Sequence, residues 1–142
     1  MVSSLLKEKD KPRKQKKKSF AQLKKILWEW FTKFVKIRDK YTCITCGKVA
    51  TGYGMGGGHY KPKGACNLTY YFSEINVNAQ CTYCNLTLQG NQVVYRERLI
   101  QKFGLDAVLD IEQNFRNPVK DFPFEEKIEY YKSQVQKING NK

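Results

Sequence analysis

Cys43-Ile44-Thr45-Cys46-Gly47 and Cys81-Thr82-Tyr83-Cys84-Asn85 stand at the two ends of a long segment, residues 48–80. Each C-x-x-C turn offers two thiolates, and a long loop can bring two such turns together around one tetrahedral zinc ion. Gly47 suits the tight turn that aims backbone amides at the sulfurs. Four thiolates leave no open position for water, so the expected zinc at Cys43, Cys46, Cys81 and Cys84 is structural. Its binding would contribute on the order of 10 kcal/mol to folding. A thioredoxin-like redox pair lacks its strand–CxxC–helix setting here. Cys66 is left over and is expected as a free thiol.

Outward from the knuckle, the chain of 142 residues is long enough for one domain with a modest core. It carries 26 Lys and Arg against 13 Asp and Glu, a formal charge of +13. Fourteen of those basic residues, with only four acidic ones, fall within residues 1–40. So local an excess favours a polyanionic partner, nucleic acid before membrane. No apolar stretch approaches the ~18 residues of a membrane span, and residues 1–10 lack a signal-peptide apolar core. A cytoplasmic, reducing location is expected, in which five cysteines point to metal or redox chemistry rather than disulfides. The sequons at Asn67 and Asn85 are then without meaning.

Residues 1–18 read as a disordered basic arm, too polar to bury anything, and 19–142 as the folded domain. Ser19 with Gln22 three residues on predicts a capping box, and Phe20, Leu23, Leu27, Trp30, Phe31 and Phe34 recur at helical spacing. A helix over 19–39 follows. Leu68 to Phe72 reads as a short strand, paired with another around His59 to Lys61. Helices are predicted over about 91–103, ended by Gly104, then 105–115, and finally from Phe124 to Ile138. The Gly52–Gly58 run contains a formal GxGxxG but follows no clear strand and opens no helix. It reads as a flexible loop rather than a dinucleotide site. The fold class is α+β, with a zinc core over 41–103 framed by helices.

Three residues within or beside the inter-cysteine segment could carry chemistry: His59, Asn76 and Asn85. Phosphodiester hydrolysis needs a base for water and a divalent cation to neutralise charge on phosphate. A neutral imidazole suits the first task, and a hard amide oxygen such as that of Asn85 suits Mg²⁺ or Mn²⁺. By residue type alone, a lone histidine is more often structural.

The order of these residues resembles the HNH superfamily, also called the ββα-metal or His-Me finger. Members with a zinc knuckle show CxxC, a strand bearing the base histidine, an Asn five residues before the second CxxC, and His or Asn directly after it. The resemblance implies that His59 is the base, Asn76 braces the loop, and Asn85 is the ligand of a catalytic Mg or Mn ion. Placing Asn after the last cysteine is also similar to phage endonuclease VII, a Holliday-junction resolvase. A closer likeness is to the phage NinG family, the Rap recombination endonucleases. It is carried by Phe34 to Asp39, Cys43 to Gly47, Gly58-His59-Tyr60, Asn76 to Cys81, Cys84-Asn85, Gly90-Asn91 with Tyr95, and Tyr130-Tyr131, over roughly residues 20–138.

What that likeness implies is a structure-selective endonuclease acting on branched DNA such as Holliday junctions and D-loops, in the cytoplasm of an infected or lysogenic bacterial host. Many HNH enzymes place an Asp metal ligand just before the base, where this chain has Gly58. The second ligand is then open among Glu74, Gln80 and Asn91. Symmetric cutting of a junction would need two sites, hence a homodimer. Phosphate contacts are expected from Lys61, Lys63, Arg96 and Arg98, and from Arg13, Lys14, Lys16, Lys17 and Lys18 of the arm. Two rival readings use the same charge and cysteines: a non-catalytic zinc module that only binds nucleic acid, and a zinc-stabilised protein-interaction adaptor.

Overall fold

A computed structural model describes residues 16–140. The predicted arm therefore lies mostly outside the described residues, and Lys16, Lys17 and Lys18 are exposed chain leading to the first helix. Helix α1 is Phe20–Arg38. Its capping box forms in both directions: the Ser19 amide donates to Gln22 Oε1 at 2.8 Å, and the Gln22 amide to Ser19 Oγ at 3.3 Å. One stripe, Leu27, Phe31 and Val35, is fully buried. Each such side chain contributes roughly 1.5–3 kcal/mol on burial.

Strand β1, Met55–His59, pairs antiparallel with β2, Val77–Cys81, in the register Met55↔Cys81 through His59↔Val77. This corrects two expectations. Gly56, Gly57 and Gly58 are strand residues rather than a flexible loop. The reason is close packing: a Cβ on Gly57 would stand 3.0 Å from Thr32 Cγ2 and 3.2 Å from Val77 Cγ1, so α1 lies directly on the hairpin. The partner of β1 is also not residues 68–72. Those residues start a one-turn helix, α2, Leu68–Tyr71, because Asn67 caps it, Oδ1 accepting from the Tyr70 amide at 3.1 Å. Aromatic and β-branched content suits a pleated surface, but the cap and the packing of Tyr71 and Phe72 decide otherwise.

After the second cysteine pair the chain makes a π-type turn, Tyr83–Thr87, then α3, Gln92–Phe103, and α4, Leu105–Asn114. Gly104, at φ 94°, lets these two helices meet without a linker. The last helix, α5, Phe124–Gly140, lies on α1, with the Phe31 and Tyr131 rings 5.0 Å apart. The result is mixed α+β: a small hairpin held between α1 with α5 on one side and α3 with α4 on the other. No helix among the described residues is long and apolar enough to cross a membrane.

A polar clamp ties the end of α1 to β2. Asp39 accepts from Arg38 at 2.8 and 3.0 Å, from Lys102 at 2.7 Å and from the Ala79 amide at 2.8 Å. Burial alone would raise the Asp39 carboxyl. The hydrogen bonds from Arg38, Ala79 and Lys102 outweigh it and hold the carboxyl below its usual range.

Candidate functional site

The four cysteines predicted to share a metal do come together. Their sulfurs all lie within 4.8 Å of one another, and Cys46 Sγ to Cys81 Sγ is 3.7 Å. A tetrahedron of Zn–S bonds of about 2.3 Å has sulfur–sulfur edges of about 3.8 Å, so the donor set suits one such ion. Cys43, Cys81 and Cys84 are buried while Cys46 is exposed. Burial raises the Cys43 thiol, but amides of Cys81, Cys46 and Thr45 and the Thr45 hydroxyl bring it down to about 6. Cys46 is pushed up to about 12, by burial and then by crowding from Cys43, Cys81 and Cys84 against the relief of the Lys48 amide. Four thiols so close cannot all ionise without a cation between them. Cys66 stands apart as a lone thiol, its sulfur 3.2 Å from the Lys61 carbonyl.

His59 ends β1 and points to the α1 side, where its ring stacks on Trp28, centroids 5.1 Å apart and planes 8° apart. Its Nε2 lies 2.9 Å from the Tyr71 carbonyl. A carbonyl only accepts, so Nε2 carries the proton and the lone pair of the neutral ring sits on Nδ1. Burial lowers the imidazole to about 4; the Tyr71 hydrogen bond works against this, while the charges of Lys63 and Lys24 add to it. At neutral pH the ring is an uncharged base with a fixed tautomer. The one-turn helix α2 places that carbonyl, a contact that a strand over 68–72 had hidden.

Asn76 is fully buried. Its Oδ1 accepts from the Lys61 amide at 2.8 Å, and its Nδ2 donates to the Lys61 carbonyl at 3.2 Å and the Tyr70 carbonyl at 3.0 Å. It therefore holds both ends of the 61–70 loop, beside which His59 sits. Asn85 follows Cys84 in the π-type turn and is half-buried. Together with His59, Trp28, Lys61, Lys63 and Gly90 it lines an open cleft of about 640 Å³. The knuckle thus fixes one wall of the cleft and β1 the other.

Of the expected phosphate contacts, Lys61 and Lys63 line this cleft. Arg96 does not: it pairs with Glu112 at 3.0 Å, bracing α3 against α4. Arg98 is exposed on α3 beside Gln101 and also stays away from the cleft. Arg13 and Lys14 lie outside the described residues. Sequence reasoning missed Lys24, whose Nζ is 4.4 Å from the Tyr71 ring centroid, and Lys36, which lines a neighbouring cleft with Asn85. It singled out neither as a phosphate contact. Among the candidates for a second ligand, Glu74 is engaged by Tyr131 at 3.2 Å, and Asn91 leans on Cys84 Sγ at 3.9 Å. Tyr95, which sequence reasoning used only as a mark of family likeness, is fully buried; its hydroxyl donates to the Gly58 carbonyl at 2.6 Å and receives Asn78 Nδ2 at 3.2 Å.

The comparisons with known proteins agree with one another. The family model described as Bacteriophage Lambda NinG protein matches residues 4–141. Protein ninG of Escherichia phage lambda is 39% identical over 82 residues, which are 57% of this chain and 39% of that relative. Protein ninG of Salmonella phage P22 is 37% identical over 84 residues, 58% of this chain and 40% of that relative. The aligned part thus spans about two fifths of the curated relatives' length. No solved structure matches the chain. Because the family model runs through the knuckle, the hairpin and the five helices of the described residues, the chain belongs to the NinG family of bacteriophage proteins.

Proposed function

We propose that this chain is a metal-dependent endodeoxyribonuclease of the HNH, or His-Me finger, type. Its substrates would be branched recombination intermediates such as Holliday junctions and D-loops. The observation that carries the reading is His59: a neutral imidazole, its proton held on Nε2 by the Tyr71 carbonyl, in a cleft shared with Asn85, Lys61 and Lys63.

In this reading Nδ1 takes a proton from water. The water oxygen forms a bond to phosphorus as one ester P–O bond breaks, and the departing oxygen takes a proton from solvent. Lys61 and Lys63, with Lys24 beside them, hold the phosphate backbone. Asn85 Oδ1 is a hard oxygen of the kind Mg²⁺ or Mn²⁺ selects, and such an ion, when bound, would neutralise charge on the phosphate and the leaving oxygen. Asn76 acts as a positioning residue, since it keeps the 61–70 loop in place and reaches no substrate. The four-cysteine knuckle, with zinc as its ion, sets Asn85 against His59. The preference for branched DNA rests on the family likeness, and cutting both strands of a junction would call for a homodimer.

The test uses the full zinc-loaded chain on a labelled Holliday junction with Mg²⁺ or Mn²⁺. Wild type is expected to cut, and His59→Ala to bind the junction without cutting. Asn85→Ala should regain part of its activity at raised metal, and His59→Ala none. Cutting by His59→Ala at the wild-type rate would overturn the mechanism. Binding with no cutting by wild type would leave a non-catalytic nucleic-acid module.

A further inference from the structure

Gln80 sits in β2 with its side chain fully buried. Its Nε2 donates to the Gly90 carbonyl at 2.8 Å and to Thr45 Oγ1 at 3.3 Å. Only an N–H can serve the Gly90 carbonyl, so the orientation of the amide is fixed. That leaves Oε1 buried with no hydrogen-bond partner, the one side-chain atom among the described residues in that condition. An acceptor left so in a folded core calls for a partner from outside the chain, a water or an ion. Its direction is also defined. A Cβ built on Gly58 would fall on Oε1 and stand 2.8 Å from Gln80 Cβ. The Gln80 amide therefore fills the space that a side chain at position 58 would take, directly before His59. Gln80 and Asn85 line one open cleft of about 420 Å³, and Asn85 also lines the cleft of His59.

We infer that Gln80 Oε1 and Asn85 Oδ1 are the two protein oxygens that hold the divalent cation beside His59. The inference deepens the nuclease reading and rests on it. Two hard, neutral amide oxygens suit Mg²⁺ or Mn²⁺, which take few protein ligands and keep several waters. Because neither ligand is charged, the ion keeps its full charge for the phosphate. Glycine at 58 is then a consequence: the oxygen arrives from the partner strand, and a side chain at 58 would displace it.

The experiment is a Mn²⁺ titration of the full zinc-loaded chain, read by electron paramagnetic resonance, with zinc content and circular dichroism confirming the fold. Zinc stays in its thiolate site because Mn²⁺ is the weaker competitor there. Wild type is expected to bind one Mn²⁺, and Gln80→Ala to bind it at least about tenfold more weakly. Gly58→Asp combined with Gln80→Ala should regain at least wild-type affinity, since the vacated space admits the new carboxylate. Gly58 is not at positive φ, so the backbone accepts aspartate. Gly58→Asp alone should bind no better than wild type, because Gln80 stands in its way. Unchanged Mn²⁺ affinity in Gln80→Ala, or no saturable binding by wild type, would overturn the inference. Junction cutting is assayed in parallel. The expected Mn²⁺ pattern without cutting supports the ion site and removes the nuclease reading. Cutting with Mn²⁺ binding indifferent to Gln80 keeps the nuclease and removes this ligand.

Discussion

His59 is the only histidine in the chain, so its titration can be followed without ambiguity. In the fold its imidazole is lowered from 6.5 to about 4, first by burial against Trp28 and Tyr71 and then by the charges of Lys63 and Lys24. The unfolded chain binds a proton on this ring near its ordinary value while the folded chain does not. Above about pH 6.5 both states are neutral and the ring adds no pH dependence. Between 6.5 and 4 only the unfolded state is protonated, so stability falls with decreasing pH. At about 1.36 kcal/mol per unit, the loss is roughly 2 kcal/mol by pH 5 and about 3 kcal/mol at pH 4, levelling off at about 3.4 kcal/mol below that. The assay is urea unfolding of zinc-loaded wild type and His59→Gln at pH 7.5 and pH 5. Carboxylates and thiolates titrate in both proteins, so the difference in their pH dependence isolates the ring. Wild type should lose about 2 kcal/mol more than the variant. Nuclear magnetic resonance of the ring Hε1 proton should show a midpoint well below 6. A midpoint near 6.5 with equal pH dependence of the two proteins would refute both the buried stack and the neutral base drawn from it.

Two further outcomes follow from the packing. Tyr95→Phe removes the hydroxyl that bridges the Gly58 carbonyl and Asn78 in a buried site, and should cost about 1–3 kcal/mol in urea unfolding; a loss under a few tenths would mean that water takes its place. Cys81→Ser should release the metal and unfold the whole domain rather than lower activity alone, as seen by zinc content and far-ultraviolet circular dichroism; a folded, zinc-free variant would show that the knuckle is not needed for the fold.

What the sequence made legible was what local spacing controls. The paired C-x-x-C turns announced the four-sulfur cluster, and the 3.6-residue recurrence from Phe20 to Phe34 announced α1 together with its cap. What it hid was decided by contacts between distant segments. Leu68 to Phe72 has the composition of a strand, yet the Asn67 cap and the packing of Tyr71 and Phe72 turn it into a helical turn. The Gly56–Gly58 run looks flexible because glycine in isolation is flexible. Here Thr32 and Val77 crowd Gly57 on one face of the strand, and Gln80 crowds Gly58 on the other. Arg96 looks like a free cation until Glu112, sixteen residues on, is seen to hold it. A sequence lists charges without their partners, and so it overstated the phosphate-facing set on α3 and overlooked Lys24 and Lys36 on α1.

The strand β2, with Asn76 just before it, carries most of the coupling between staple and site, and its period of two explains how. Val77, Ala79 and Cys81 share one face, which closes the apolar cores and the sulfur cluster. Asn76, Asn78 and Gln80 share the other face, three amides with no exposure at all. Amides are depleted in strands and costly to bury, so each needs a specific engagement. Asn76 satisfies the ends of the 61–70 loop, and Asn78 links Tyr95 to Lys102 and Arg38. Gln80 spends its N–H groups on Gly90 and Thr45 and keeps one oxygen free. Because Cys81 continues the same strand, a metal at the knuckle fixes the register of all three amides against His59. A one-residue slip would exchange the two faces and lose both sets of contacts together. Folding, metal binding and the geometry of the cleft are therefore expected to be gained and lost as one transition.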